Sequence, residues 1–85
     1  MKCALVTGGS RGIGKATAIA FAKKGARVAI NFRSNKEAAS ATCELLEGEG
    51  HFANKADISK PNQVAKMIEA VVKEFGQLDI LVNNG

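Results

Sequence analysis

The chain has 85 residues, a net charge of +4, and 46% hydrophobic and 24% charged residues, which is typical of one small globular domain or part of one. Its twelve Lys and Arg residues are scattered and its aromatic residues are four Phe, so we expect no nucleic-acid surface. The sequence has no apolar run near the roughly 20 residues of a membrane span, and its two cysteines form no disulfide or metal-ligand spacing, which favours a cytoplasmic, metal-free protein.

Four apolar or alternating segments predict β-strands. They lie at 2–7, 26–32, 51–56 and 79–83. The last is a nearly continuous apolar run, which is typical of a parallel strand that is buried on both faces.

Three segments with helical periodicity lie between these strands. The first spans 12–24 and ends at Gly25. The second begins at a capping box formed by Ser34 and Glu37, and the third begins at the N-cap Ser59. The residues expected to face the core are Ile13, Ala16, Ala20 and Phe21 in the first helix, Ala38, Ala41 and Leu45 in the second, and Val64, Met67, Ile68, Val71, Val72 and Phe75 in the third.

The alternation of strands and helices predicts an α/β fold with a parallel sheet and the order βαβαβαβ. Right-handed crossovers then give the strand order 3-2-1-4. The strand order changes direction between strands 1 and 4, and sheets of this kind bind their ligands at that point.

A glycine-rich segment, Thr7–Gly14, connects the first strand to the first helix at this same point. Glycines have no side chain, so a pyrophosphate can approach the free N–H groups at the helix N-terminus. The spacing is G-x-x-x-G-x-G instead of the general G-x-G-x-x-G, and by itself it also fits a turn that needs glycines for geometry alone. Its place in the predicted sheet favours phosphate binding.

Three motifs resemble those of the short-chain dehydrogenase/reductase family, and together they cover the chain. Thr7–Gly14 is similar to its T-G-x-x-x-G-x-G cofactor loop, and Asp57-Ile58 resembles the pair whose aspartate hydrogen-bonds the adenine. Residues 79–84 are similar to the strand that leads into N-N-A-G, with Gly85 where the family has Ala. The resemblance is nearest to the 3-oxoacyl-carrier-protein reductase-like members, and it implies a truncated, doubly wound Rossmann-type fold.

The resemblance also implies a set of cofactor-binding residues, with no catalytic or metal-binding residue in the chain. The set consists of Gly8, Ser10, Arg11, Gly12, Ile13, Gly14, Arg33, Ser34, Asp57, Ile58, Asn83 and Gly85. Ser10 and Arg11 also fit solvated loop residues, Asp57 also fits a helix cap, and Asn83 also fits a residue that bonds to nearby backbone.

Arg33 determines which cofactor we expect. It stands at the end of strand 2, where an acidic residue would bind the ribose 2′-OH of NAD. A guanidinium suits the 2′-phosphate of NADP instead, and in the family a basic residue at the position of Arg11 commonly joins it. The prediction is therefore NADP(H) in preference to NAD(H), with an ordinary surface arginine as the alternative. Ser34 fits both a helix cap and a phosphate ligand.

The sequence departs from the family in having no tyrosine. The family's catalytic Tyr-x-x-x-Lys pair and upstream Ser therefore have no counterpart here. We expect residues 1–85 to be the N-terminal, NADP(H)-binding part of an oxidoreductase that acts on carbonyl or hydroxyl groups, without its C-terminal catalytic half. The alternative is a catalytically silent module that binds cofactor or another subunit. The parent is expected to be a homo-oligomer, and the isolated chain is expected to self-associate.

Overall fold

The computed structural model describes residues 1–84 and contains four strands and three helices. In chain order they are β1 (Cys3–Val6), α1 (Gly12–Lys23), β2 (Arg27–Phe32), α2 (Lys36–Leu45), β3 (Phe52–Lys55), α3 (Pro61–Phe75) and β4 (Ile80–Val82). The strands form one sheet with the order β3-β2-β1-β4, and every pair is parallel. The predicted α/β fold and strand order are confirmed.

The two faces of the sheet carry different helices because side chains alternate along each strand. On one face Val28, Ile30 and Phe32 pack with α1 and α2. On the other face Leu5 and Ala29 pack with α3. The sheet is therefore buried on both sides along β1 and β2, and polar loops remain at its ends.

The core-facing residues of α1 differ from the prediction. Gly14, Ala18 and Ala22 are buried, whereas Ile13 is 76% exposed. Small side chains at every fourth position let the helix lie close to the sheet, and Ile13 stands at its first turn beside the glycine-rich loop. The prediction was therefore wrong for Ile13, Ala16 and Ala20, which are exposed, whereas Phe21 packs against the core as predicted.

In α2 the inner face is also displaced from the prediction. Ala39 and Thr42 are buried and Leu45 is 54% exposed. Thr42 can be buried because its hydroxyl donates a hydrogen bond to the carbonyl of Ser10, at 3.1 Å. In α3 the expected residues Met67, Val71 and Phe75 are buried, but Val72 is 40% exposed.

Two predicted helix caps are wrong. The N-cap of α2 is Asn35, whose Oδ1 accepts from the N–H of Ala38 at 2.9 Å, and Ser34 is outside the helix. The N-cap of α3 is Lys60, without a side-chain cap. Ser59 instead donates its N–H and its hydroxyl to the carboxylate of Asp57.

His51 has a structural role that the sequence did not reveal. Its Nδ1 accepts a hydrogen bond from the backbone N–H of Val28 at 3.0 Å, and its Nε2 lies 2.7 Å from the carbonyl of Glu47. The proton is therefore on Nε2, since Nδ1 is the acceptor. The imidazole extends the pairing of β2 with β3 by one residue and ties it to the segment after α2.

Candidate functional site

The glycine-rich loop lies at the carboxyl ends of β1, β2 and β4. The N–H of Thr7 donates to the carbonyl of Val82 at 3.0 Å, and the N–H of Gly9 donates to the carbonyl of Asn31 at 3.2 Å. The loop is therefore fixed to a strand on each side of β1, at the point where the strand order changes direction.

Two glycines of this loop show why side chains are absent. Gly12 has φ of +63° and open space around a built Cβ, so it needs the left-handed conformation and leaves room for a ligand. At Gly14 a Cβ would overlap the carbonyl of Gly8 and come within 2.7 Å of the side-chain amide of Asn84. Gly14 therefore allows the first turn of α1 to meet the loop.

The N-terminus of α1 is open to an anion. Its N-cap, Arg11, has an extended backbone with no side-chain cap, and the first turn contains no acidic residue. The first N–H groups of a helix have no partner within the helix, and the helix dipole favours a negative charge beside them. A phosphate group would satisfy both conditions.

The other predicted loop residues surround this helix end in different ways. Ser10 is half-buried and its carbonyl is engaged by Thr42, while Arg11 and Ile13 are exposed. The guanidinium of Arg11 and the apolar side chain of Ile13 are thus both accessible to a ligand at the N-terminus of α1.

A cavity of about 300 Å³ lies beside the loop and brings four of the predicted residues together. Gly8 and Arg33 line it from the ends of β1 and β2, and Asp57 and Ile58 line it from the segment after β3. The nearest guanidinium nitrogen of Arg33 is 3.8 Å from a carboxylate oxygen of Asp57. Ser34 is exposed and does not line this cavity.

The carboxylate of Asp57 is held in its ionised form. The hydroxyl of Ser59 donates to Oδ1 at 2.6 Å and the N–H of Ser59 at 3.0 Å. These two bonds lower the pKa of Asp57 most, and the positive charges of Arg33 and Lys60 lower it further. The second oxygen of the carboxylate, Oδ2, is the one nearest to Arg33.

The asparagines after β4 connect that strand to the loop. The hydroxyl of Thr7 lies 3.3 Å from Oδ1 of Asn83, and it accepts from the N–H of Asn84 at 2.8 Å. The side chain of Asn83 thus contacts a side chain of the loop and not its backbone, and its place in a cofactor site stays a prediction. Gly85 lies outside the described residues.

The site contains two polar residues that sequence reasoning missed, Asn31 and Thr42. Both are buried, and both hydrogen-bond to the glycine-rich loop. For Asn31 the available signal was a polar side chain within the otherwise apolar end of β2, which must find a partner to be tolerated there. No such signal marked Thr42, because α2 contains several other polar residues.

Within residues 1–84, no group of three or more His, Cys, Asp or Glu side chains is placed to hold a metal ion. None of the helices in this part of the chain has the length and apolar character needed to cross a membrane.

A family model described as short chain dehydrogenase matches residues 2–85. The chain belongs to the short-chain dehydrogenase family. Members bind a nicotinamide dinucleotide, and the chain corresponds to the N-terminal part of the longer members. The resemblance expected from the three motifs is thereby confirmed.

Two curated relatives of this family differ in length. The short-chain dehydrogenase/reductase homolog YusS of Bacillus subtilis is 48% identical over 85 residues, which cover 98% of this chain and 78% of YusS. The 3-oxoacyl-(acyl-carrier-protein) reductase FabG of Staphylococcus epidermidis is 45% identical, and the match covers 98% of this chain but 35% of FabG. The chain thus spans about a third of the FabG length.

Solved structures of short-chain dehydrogenases have the same fold over nearly all of this chain. A short-chain dehydrogenase from Burkholderia cenocepacia, in complex with NADP, is 46% identical with a TM-score of 0.95, and the match covers 99% of this chain and 35% of that one. Acetoin dehydrogenase from Enterobacter cloacae is 38% identical with a TM-score of 0.89, over 98% of this chain and 35% of that one.

Proposed function

We propose that residues 1–85 are the NADP(H)-binding portion of a short-chain dehydrogenase/reductase that transfers hydride between a nicotinamide and a carbonyl or hydroxyl group. The observation that carries the proposal is the uncapped N-terminus of α1 behind a glycine-rich loop, with Arg33 and Asp57 beside it. The bound nicotinamide would supply the hydride chemistry, and the protein would bind and orient it.

The residues of the site fit the parts of a dinucleotide. The open space at Gly12 and the first N–H groups of α1 suit the pyrophosphate. The cavity that contains Asp57 and Ile58 suits the adenosine, for which Asp57 offers a carboxylate acceptor. Arg33, at the edge of the same cavity, suits a phosphate on the ribose.

The contact between Arg33 and Asp57 would not prevent phosphate binding. The side chain of Arg33 is 80% exposed and the separation is 3.8 Å. Exposed ion pairs contribute about 0–1 kcal/mol, whereas a hydrogen bond to a charged group contributes about 1.5–3 kcal/mol. The guanidinium therefore gains by turning to a 2′-phosphate, and this gain supports NADP(H) in preference to NAD(H). The NADP complex of the Burkholderia cenocepacia relative supports the same choice.

A catalytically silent module is the second candidate, because the sequence has no tyrosine. In this case the chain would bind the cofactor or another subunit without turnover. Under both proposals, the 85 residues are the first part of a dinucleotide-binding domain, and the catalytic half lies outside them. Under both, the parent protein is a homo-oligomer. Its proposed location is the reducing cytoplasm, which suits the free thiols of Cys3 and Cys43.

Fluorescence titration of NADPH and NADH tests the proposed cofactor. We expect the wild-type chain to bind NADPH about tenfold to a hundredfold more tightly, since 1.5–3 kcal/mol corresponds to that range. Arg33→Ala should remove most of this preference and leave NADH binding unchanged. Lys24→Ala is the matched control, because it removes a positive charge at the far end of α1. Equal affinities in the wild type, or a preference unchanged in Arg33→Ala, would contradict the assignment.

A further inference from the structure

Asn31 is a buried amide near the carboxyl end of β2. It is 3% exposed and lies in β2 between Ile30 and Phe32. Because side chains alternate along the strand, Asn31 lies on the same face as Ala29, toward α3. An amide without partners in such a place would cost free energy, so its contacts show what it does.

The acceptor end of this side chain contacts the glycine-rich loop. Its Oδ1 accepts from the N–H of Gly8 at 3.3 Å. The backbone carbonyl of Asn31 accepts from the next N–H, that of Gly9, at 3.2 Å. One residue of β2 therefore holds two consecutive N–H groups of the loop, one through its side chain and one through its backbone.

The donor end contacts the segment after β3. The Nδ2 of Asn31 donates to the carbonyl of Ala56 at 3.0 Å, and the N–H of Ala56 donates to the carbonyl of Phe32 at 3.0 Å. Ala56 is buried and immediately precedes Asp57. The carboxamide thus joins the two walls of the cavity that contains Gly8 and Asp57.

We propose that Asn31 is a positioning residue that sets the distance between the glycine-rich loop and the segment after β3, and so the fit of a nucleotide between them. We call the hydrogen bonds of the Asn31 side chain to Gly8 and Ala56 the clamp. The nucleotide as its ligand rests on the proposed function, whereas the clamp itself exists in the ligand-free chain. A carboxamide meets both needs because its oxygen accepts and its NH2 group donates without carrying a charge.

Amide hydrogen exchange in the ligand-free chain tests the clamp. In Asn31→Leu the N–H of Gly8 loses its acceptor, and its exchange should become about tenfold faster, which corresponds to the loss of one hydrogen bond. The N–H of Gly9 is bonded to the backbone of the same residue and should keep its rate. Asn31→Asp, which keeps an acceptor oxygen, should keep Gly8 protected, and it decides the question if the leucine variant does not fold. Equal acceleration at Gly8 and Gly9 would indicate general destabilisation and overturn the clamp.

NADPH titration tests the positioning. Asn31→Leu should weaken NADPH binding about tenfold or more, because the two walls are no longer joined. Asn54→Leu is the matched control, since Asn54 pairs with Asn31 in register on β3 and makes none of these contacts. Loss of Gly8 protection with unchanged NADPH affinity would overturn the positioning role. A wild-type chain that binds no NADPH would overturn the proposed function, and the exchange rates would still decide the clamp.

Discussion

At the scale of single residues, His51 stabilises the sheet from the position just before β3. Its Nδ1 is the acceptor for the N–H of Val28, a residue that is 0% exposed. A buried donor without an acceptor costs about 1–3 kcal/mol.

His51→Ala should therefore lower the free energy of unfolding by about 1–3 kcal/mol, as measured by urea denaturation. Thr17→Ala is the control. The hydroxyl of Thr17 also donates to a backbone carbonyl, that of Ile13 at 2.8 Å, but at an exposed position. A change within about 0.5 kcal/mol is expected there. Equal effects of the two substitutions would show that the imidazole is replaceable by solvent.

At the scale of the elements, two neighbouring polar residues at the start of α2 differ in whether they cap the helix. Asn35 accepts from the N–H of Ala38 at 2.9 Å, while Ser34 lies outside the helix without a capping bond. Asn35→Ala should cost about 1 kcal/mol of stability, and Ser34→Ala should cost almost nothing. Thermal or urea unfolding of the two variants decides between them. A larger loss in Ser34→Ala would restore the capping box predicted from the sequence.

The elements themselves were predictable because their signals are local. All seven elements and the strand order followed from the strand and helix periods, the glycines at helix ends and the βα alternation. Gly76, for example, ends α3 in the left-handed conformation, with φ of +80°. The inner faces of α1 and α2 were less predictable, because helix–sheet distance and the buried hydroxyl of Thr42 decided them. These are properties of two elements together, which no single segment contains.

The candidate site also contains residues that the local sequence predicts and residues that only the assembled sheet reveals. The positions of Gly12 and Gly14 follow from the loop motif, because each has a conformational or packing need at that place. Asn31 was not predicted, since its partners, Gly8 and Ala56, are brought together only by the sheet.

At the scale of the whole molecule, the two edges of the sheet differ. The edge strand β3 ends in the exposed Lys55, a residue type that discourages pairing with another chain. The edge strand β4 consists of Ile80, Leu81 and Val82 and contains no charge. Leu81 is 53% exposed. Self-association is therefore expected at β4.

Leu81→Lys should raise the dissociation constant of self-association about tenfold or more, because it places a charge on the edge strand. Leu45→Lys is a closely matched control, as Leu45 is 54% exposed but lies on α2, away from this edge. Sedimentation velocity over a range of concentrations measures both. A wild-type chain that stays monomeric at high micromolar concentration would contradict the expectation.

The 85-residue chain by itself should not reduce carbonyl substrates. It contains no tyrosine that could donate the proton accompanying hydride transfer, and general acid catalysis contributes about 10²–10⁴-fold to such rates. The measurement is NADPH consumption by a preparation of verified mass. Substrate-dependent, saturable consumption would show that another group performs the proton transfer.

The contacts between β1 and β4 also determine when the glycine-rich loop acquires its shape. The N–H of Cys3 donates to Asp79 at 2.8 Å, and the hydroxyl of Thr7 accepts from the N–H of Asn84, partners that are 76 and 77 positions apart. Contacts of such long range carry a large loop-closure entropy and form slowly. A nascent chain that has not yet reached Asp79 therefore contains the whole loop motif without the contacts that join it to β4.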